Sequence, residues 1–598
     1  MIIFYKNLKN NYVNFDVSRL CCGLLSRIKS CFTVVFVLTA FLFSIDSLQA
    51  STPDAGSILR DQQPPQQLLP DRFPASEAEA KPEPAPAPDS NVQVEVKGFR
   101  FSGYEGIATE RELQLLVADA TGKKCTFGDL QALTEKITGY LKNKGWFLSQ
   151  VYLPRQNVTS GIIEIQIVQG KSGSGMLFKR DKSVRICKRV LQSIGKEGVQ
   201  PGQPLNEQSL EHAVLLMNDL PGVNARASLV RGAMPGSSEV EIAVTEGSLL
   251  SGSFFGDNTG NRYTGVAKSG GMIFINDPFG CGDQWSMMLT RATGLRDGRI
   301  GYNFPLMYNG LRGNLSCSAM HYTLGEELAA QELEGKSRSY DAGLSYPMMR
   351  SRTTTLTTTL SGSIKSLTDS NPTMDMSDRR LKSATLGING THYDALLGGG
   401  YTSWSAGATV GNFHEAAAIE SATTNKTEGD YTKFNLSLSR MQRLTEGATF
   451  GLSLTSQFSL NNLDSSEKFS LGGPYGIRAY PVGEGSGDGG QLINAALRYN
   501  IPQLNALGSF QLVGFYDAGH VILRQVETPV SLGTATNRNR YWLQGAGVGI
   551  NYSFGSSFSV KMSWARVLGD NPGRSTLGDN SDGKADLSRY WLQGALSF

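Results

Sequence analysis

Residues 469–490 read FSLGGPYGIRAYPVGEGSGDGG, and the reading of this stretch decides the fold. It holds too much glycine for a helix and runs too long for a tight turn. It is a long loop with one arginine, Arg478, near its tip, flanked by Glu467, Lys468, Glu484 and Asp488. A little downstream, residues 514–519 read GFYDAG and set an acid, Asp517, in a strand-like run.

Outward from the loop, no helical stripe persists after about residue 250, and runs of about eight to twelve residues alternate between turns. Phe558, Val560, Met562, Trp564 and Leu568 share one parity, interrupted by Arg566, while Ser557, Ser559, Lys561 and Ser563 share the other. The preceding run puts Trp542, Ala546, Val548, Ile550, Tyr552 and Phe554 on one side. The last sets Tyr590, Leu592, Leu596 and Phe598 against Gln593 and Ser597. This is the alternation of a membrane β-barrel, apolar toward lipid and polar toward the lumen. Such a sheet must close, because no strand edge can face lipid. Tyr302, Tyr346, Trp404 and Trp564 fit interfacial girdles. Residues 248–598 give a transmembrane antiparallel barrel of about 16 strands, each of about 9 to 11 residues.

The front end differs in kind. Net charge over 598 residues is +3, so no global imbalance points to nucleic acid. Residues 31–43 are apolar, too short to span a bilayer as a helix, and follow Lys6, Lys9, Arg19, Arg27 and Lys29. Residues 1–50 therefore read as a signal peptide. Residues 51–90 form an N-terminal segment with room for a short helix before Pro64, then a Pro-rich linker. Cys125, Cys187, Cys281 and Cys317 are scattered, with a Cys281–Cys317 bridge left open, and no cluster suits a metal.

Between these parts lie two α+β repeats. In residues 91–170, Val92, Val94 and Val96 alternate. Thr109 and Glu112 form a capping box. Leu130, Leu133, Ile137 and Leu141 make a helical stripe that stops at Gly145. Residues 146–153 and 162–168 read as strands. In residues 171–247 the order returns, with Val184, Leu191 and Ile194, then Leu210, Val214 and Met217, at helical spacing before two more strands. Two successive βααββ units form an internal repeat. An open sheet edge can capture an extended peptide by adding a strand, and Trp146, Leu148, Gln150 and Tyr152 mark the candidate edge.

The loop motif, Gly472 and Gly473 followed by Ile477, Arg478, Ala479 and Tyr480, resembles the sixth-loop motif of the outer-membrane barrel superfamily that inserts or exports proteins. The repeats resemble that superfamily's POTRA modules, and Lys144-Gly145-Trp146 with residues 152–156 resembles the haemolysin-activator type. Together they are similar to two-partner secretion transporters. The resemblance implies an inward-folded loop whose Arg478 pairs with Asp517. It also implies an N-terminal segment that can plug the pore, and Phe598 as an assembly signal. The implied place is a Gram-negative outer membrane with POTRA 1 and POTRA 2 in the periplasm. The implied partners are a secreted exoprotein (an adhesin or haemolysin), outer-membrane lipid and the barrel assembly machinery. The chain is expected as a monomer or weak oligomer, with no nucleic acid and no cofactor. Ala479 stands where the family has glycine, and would be strained if that position needed a positive φ.

No G-x-S-x-G elbow or H-E-x-x-H is present, so no catalytic residue is assigned. The rivals are an assembly factor, which usually carries more than two POTRA units, a passive porin, which lacks periplasmic domains, and a barrel enzyme. The last would need a Ser/His pair, with His414 and His520 the histidines to examine.

Overall fold

The computed structural model describes residues 52–62, 93–232, 237–416, 425–502, 508–529 and 531–598. The signal-peptide reading and the Pro-rich linker fall outside these residues, apart from one helix, α1 (Ala55–Asp61).

The two repeats share one topology. In the first unit α2 (Glu110–Val117) and α3 (Phe127–Asn143) pack on a sheet whose central strand, Ile162–Val168, runs parallel to Gly98–Ser102 and antiparallel to Gln150–Tyr152. In the second, α4 (Lys188–Gly198) and α5 (Glu207–Asn218) cover a sheet whose central strand, Ser237–Glu246, runs parallel to Lys171–Arg180 and antiparallel to Val223–Arg231. The amphipathic stripes become the cores, around Leu113, Ile137, Leu141 and Ile165 in one unit and Leu191, Ile194, Met217 and Ile242 in the other. Thr109 and Glu112 do form a capping box, satisfying backbone donors at the start of α2.

The expected edge strand needs correction. The strand is only Gln150–Tyr152, and Trp146 and Leu148 lie before it. Gly145 takes a φ of +89°, and the Trp146 N–H then folds back to the Leu141 carbonyl at 2.9 Å. That wrap ends α3 and turns Trp146 into the first core, while Phe147 and Leu148 pack on the second. The two units are thereby joined through side chains as well as chain.

Sixteen antiparallel strands, from Leu250–Asp257 to Ser588–Ser597, close into a barrel when the last pairs with the first, Gln593 opposite Asp257 through Ser597 opposite Ser253. Phe598 completes that seam: its N–H donates to the Gly252 carbonyl at 2.9 Å, and its ring stacks on Phe254. Strand length is far less uniform than expected, from 8 residues in Leu250–Asp257 to 21 in Met374–Asp394. The bilayer fixes only the length of the apolar band, and a paired hairpin can continue beyond it with its backbone satisfied. The described cysteines are all free, Cys281 and Cys317 included.

The second unit seats on the barrel's near-end turns. Arg350 grips Asp219 with a 2.9 Å bond from Nε and a 2.8 Å bond from an Nη. The His212 ring lies 3.3 Å from the Arg350 carbonyl, and the Cys187 N–H donates to Gly280 at 2.8 Å. The Arg350–Asp219 pair is partly exposed, so removing it should loosen the seat without unfolding either part. Arg350→Ala is expected to raise amide exchange in α5 by about fivefold or less, the equivalent of about 1 kcal/mol, with exchange in α3 unchanged.

Candidate functional site

The loop after strand Ala448–Ser459 turns into the lumen. Leu471, Ile477, Ala479 and Tyr480 are fully buried against Leu492, Val513, Phe515, Val521, Leu543, Ala565 and Val567 of the inner wall. Alternation is therefore kept on these strands, yet their inner face is apolar where the loop covers it. Gly473 has a φ of +113°, and a Cβ on Gly472 would meet the Pro481 carbonyl at 2.1 Å, so this tight return depends on both glycines.

At the loop tip Arg478 and Asp517 meet. Arg478 Nε and Nη2 reach the two carboxylate oxygens of Asp517 at 2.8 and 2.6 Å, and the Arg478 backbone N–H adds a third bond at 3.1 Å. Asn494 donates to Asp517 at 2.8 Å and to the Gly476 carbonyl at 2.9 Å. The Trp591 indole donates to the Arg478 carbonyl at 2.7 Å, and the guanidinium lies 3.3 Å from the centre of the Phe515 ring. Asp517 has no exposed surface, so the fork of Arg478 supplies its counter-charge and two of its hydrogen bonds, the others coming from Asn494 and the Arg478 backbone. Phe515 stood in the GFYDAG run beside Asp517, without its contact to the guanidinium, whereas Asn494 and Trp591 were not singled out by sequence. Their inward parity was the available signal, but it does not say which inward residues stand beside the loop.

Ala479 is unstrained, because it is absent from the positive-φ residues. Its methyl packs where a Cβ on Gly545 would come within 2.5 Å, so the missing side chain of Gly545 accommodates the methyl of Ala479.

A second cluster fills the far end of the lumen. Helix α1 buries Ala55, Ile58 and Leu59 against Tyr322, Leu367, Leu381 and Leu463. Its N-cap Asp54 meets Arg379 at 2.8 Å, and the same buried guanidinium reaches Asp369 at 2.6 Å and Asp464 at 2.8 Å. The Ala55 N–H and the Tyr322 hydroxyl both donate to Asp369. Gly56 lies so close to Ser465 that a Cβ would sit 2.2 Å from its hydroxyl. Beside it Glu467 is held by Lys365 at 2.6 Å and Lys433 at 2.7 Å. Burial opposes ionisation of Glu467, but the two ammoniums outweigh it and hold the carboxyl down at about 2. Burial likewise opposes Asp54, and Arg379 outweighs it, leaving that carboxyl well below the ordinary range. Helix, loop and wall are thus joined through one arginine.

The other expected residues fall elsewhere. Gln150 and Tyr152 lie on an outer strand of the first unit's sheet, with the Tyr152 hydroxyl donating to Gln166 at 2.7 Å. His414 bonds Glu428, and His520 stacks on Trp542.

Residues 236–552 match the family model described as haemolysin secretion/activation protein ShlB/FhaC/HecB, and residues 94–170 match the ShlB-type POTRA domain. The heme/hemopexin transporter protein HuxB of Haemophilus influenzae strain 86-028NP is 25% identical over 493 residues, 81% of this chain and 84% of that protein. The outer membrane transporter CdiB of Dickeya dadantii strain 3937 is 22% identical over 423 residues, 69% of this chain and 74% of that protein. The structure of CdiB from Escherichia coli superposes with a TM-score of 0.70 at 19% identity, covering 91% of this chain and 95% of that one.

Removing Arg478 leaves a buried, uncompensated carboxylate. Arg478→Ala is expected to weaken loop docking by about 3–5 kcal/mol, read as new protease cleavage within residues 469–490 while the barrel stays folded. Arg478→Lys should restore only part, because an ammonium cannot reproduce the fork. A charge-neutral test uses packing: Gly545→Ala should displace the loop in the same assay, and adding Ala479→Gly should restore protection.

Proposed function

The chain belongs to the haemolysin secretion/activation family, and from that membership we propose how its lumen works during export. It is an outer-membrane two-partner secretion transporter with periplasmic POTRA units, and it passes a partner exoprotein. The observation that carries the mechanism is a lumen occupied twice, by α1 and by the inward loop, with Asp464 to Glu467 of that loop also touching the helix network.

Helix α1 is the plug. Seven residues with few apolar side chains cannot hold a helix alone, so its place depends on the barrel wall and on Arg379. A helix of seven residues can leave the lumen more readily than the loop, which is anchored at both ends in barrel strands. Arg478 and Asp517 then keep the loop against the wall while the helix exits. An extended segment of the exoprotein, an adhesin or haemolysin, pairs first with the free edge of Gln150–Tyr152 by strand addition. Folding of the exported chain outside biases its passage, with no nucleotide and no chemistry at the barrel. Phe598, bonded to Gly252 and stacked on Phe254 at the closing seam, is the aromatic read by the assembly machinery, and one chain supplies the closed barrel, which favours a monomer.

Planar-bilayer conductance tests the plug. The parent should be mostly closed, and Arg379→Ala or deletion of residues 52–62 should give frequent large openings. A steady open pore in the parent, indifferent to both changes, would sink the mechanism. Acid should act in the same direction. The carboxyl of Asp54 is depressed only while the helix is seated beside Arg379, so its stabilisation of the plug is present above the ordinary carboxylate range and is lost as pH falls below about 4. Asp61, raised by burial, acts in the opposite sense, so opening should begin only below about pH 4. In cells expressing a cognate exoprotein, substitution of Gln150 and Tyr152 by proline should cut secretion about tenfold without lowering the amount of folded barrel.

A further inference from the structure

Six exposed cations gather on one side of the barrel's outer surface, toward its extracellular rim. They are Arg291, Arg296, Lys336, Arg338, Arg380 and Lys382. The register ties them together. Arg291 is opposite Arg296, which shares its row with His321 and then Lys336. Arg338 and Arg380 flank Ser366 on the strand between them, and Lys382 is opposite Ile364. Two strand spacings put Arg338 and Arg380 about 10 Å apart. These residues share parity with exposed Leu289, Tyr340, Ile364 and Leu386, so they stand on the outer face and not in the lumen. Acids answer them only in part: Glu334 lies 3.6 Å from Lys336 and 3.5 Å from His321, and Asp378 lies 3.9 Å from Arg380. Arg291, Arg296, Arg338 and Lys382 form no ion pair with any described residue.

Height along the barrel decides what meets this patch. Arg338 and Lys382 each lie twelve residues from the periplasmic ends of their strands, Arg350 and Asp394. At about 3.3 Å per residue and a tilt near 45°, that is about 28 Å, just above an apolar band about 25 Å tall. Arg338 and Lys382 therefore sit at the outer headgroup level and Lys336 and Arg380 just above it, while Arg291 and Arg296, seven and nine residues from the periplasmic ends Gln284 and Pro305, lie lower on the wall. Below them a groove runs along the outer face, lined by Ile300, Leu315, Tyr340, Ala342 and Ile364, with Lys382 and, two strands on in the same row, Asp430 at its edge. A row of like charges over an apolar groove fits an amphiphile with several anionic groups above acyl chains, and neutral lipid would leave the charges unanswered.

We propose that this face is a binding site for lipopolysaccharide, the phosphorylated glycolipid of the outer leaflet. Its phosphates sit among Lys336, Arg338, Arg380 and Lys382, and an acyl chain lies in the groove beneath. The site is independent of the lumen and of the export mechanism.

The test titrates the purified full-length chain in detergent with diphosphorylated lipid A, with the same lipid A stripped of phosphate, and with phosphatidylglycerol, reading affinity by native mass spectrometry. The diphosphorylated form should bind at least tenfold more tightly than either other lipid. The variant Lys336→Gln, Arg338→Gln, Arg380→Gln, Lys382→Gln should lose that preference, at roughly fivefold per charge removed. Should that variant fail to give a heat-modifiable, folded barrel, Arg338→Gln and Lys382→Gln singly are each expected to weaken binding about fivefold. Equal binding of the phosphorylated and stripped lipids, or a preference undiminished in folded variants, overturns the site. Equally tight phosphatidylglycerol overturns the glycolipid assignment.

Discussion

A carboxylate with no access to water must have its charge answered inside the protein, and Asp517 is such a group on the barrel wall. Arg478 answers it from a loop that has to cross the lumen to do so. The rest of the inner architecture follows. The loop needs glycines to return tightly, and the wall beneath it gives up polarity for Val513, Phe515, Leu543 and Ala565. Asn494 and Trp591 fix the two ends of the tip through Gly476 and Arg478. A buried ion pair is weak evidence of net stability, but it specifies one loop position strongly, since any other leaves a bare charge.

The second occupant is held differently. Helix α1 contributes a small apolar face and a single carboxylate to Arg379, that of Asp54, and most of the network belongs to the wall and loop: Arg379, Asp369, Asp464, Ser465. Arg379 keeps two carboxylate partners, Asp369 and Asp464, when Asp54 departs. The arrangement thus leaves a satisfied wall behind a departing helix, whereas departure of the loop tip would leave Asp517 without a counter-charge. That asymmetry in uncompensated charge separates a removable element from a fixed one.

Outside, the same barrel meets three environments along its height. The periplasmic turns carry ion pairs to the second POTRA unit, the middle is apolar, and the long strands of one side rise into a cationic rim. Strand length is uneven because only the middle is constrained by hydrocarbon thickness. A closed sheet tolerates this because each added pair of residues satisfies its own backbone groups.

Parity along strands such as Phe558–Val567, the glycine-rich loop with Arg478, and the repeated helical stripes were legible in the sequence, since they depend on local periodicity and turn chemistry. From these came the barrel, the two units and, through resemblance, the pairing of Arg478 with Asp517. Less legible was the edge strand: Trp146 and Leu148 look like strand residues, but the positive φ of Gly145 turns them into the two cores. Arg379 could not be found, because an inward arginine reads like any other lumen residue until strand register and barrel closure bring Asp54, Asp369 and Asp464 around it from 325, 10 and 85 residues away. Nor could sequence explain Ala479, whose methyl is accommodated by Gly545 on another strand. The sequence by itself determined which face each strand residue takes and where the long loop lies, and resemblance implied that this loop folds inward. Tertiary structure decided which of the many inward charges meet, because closure, tilt and register juxtapose residues that no local spacing relates.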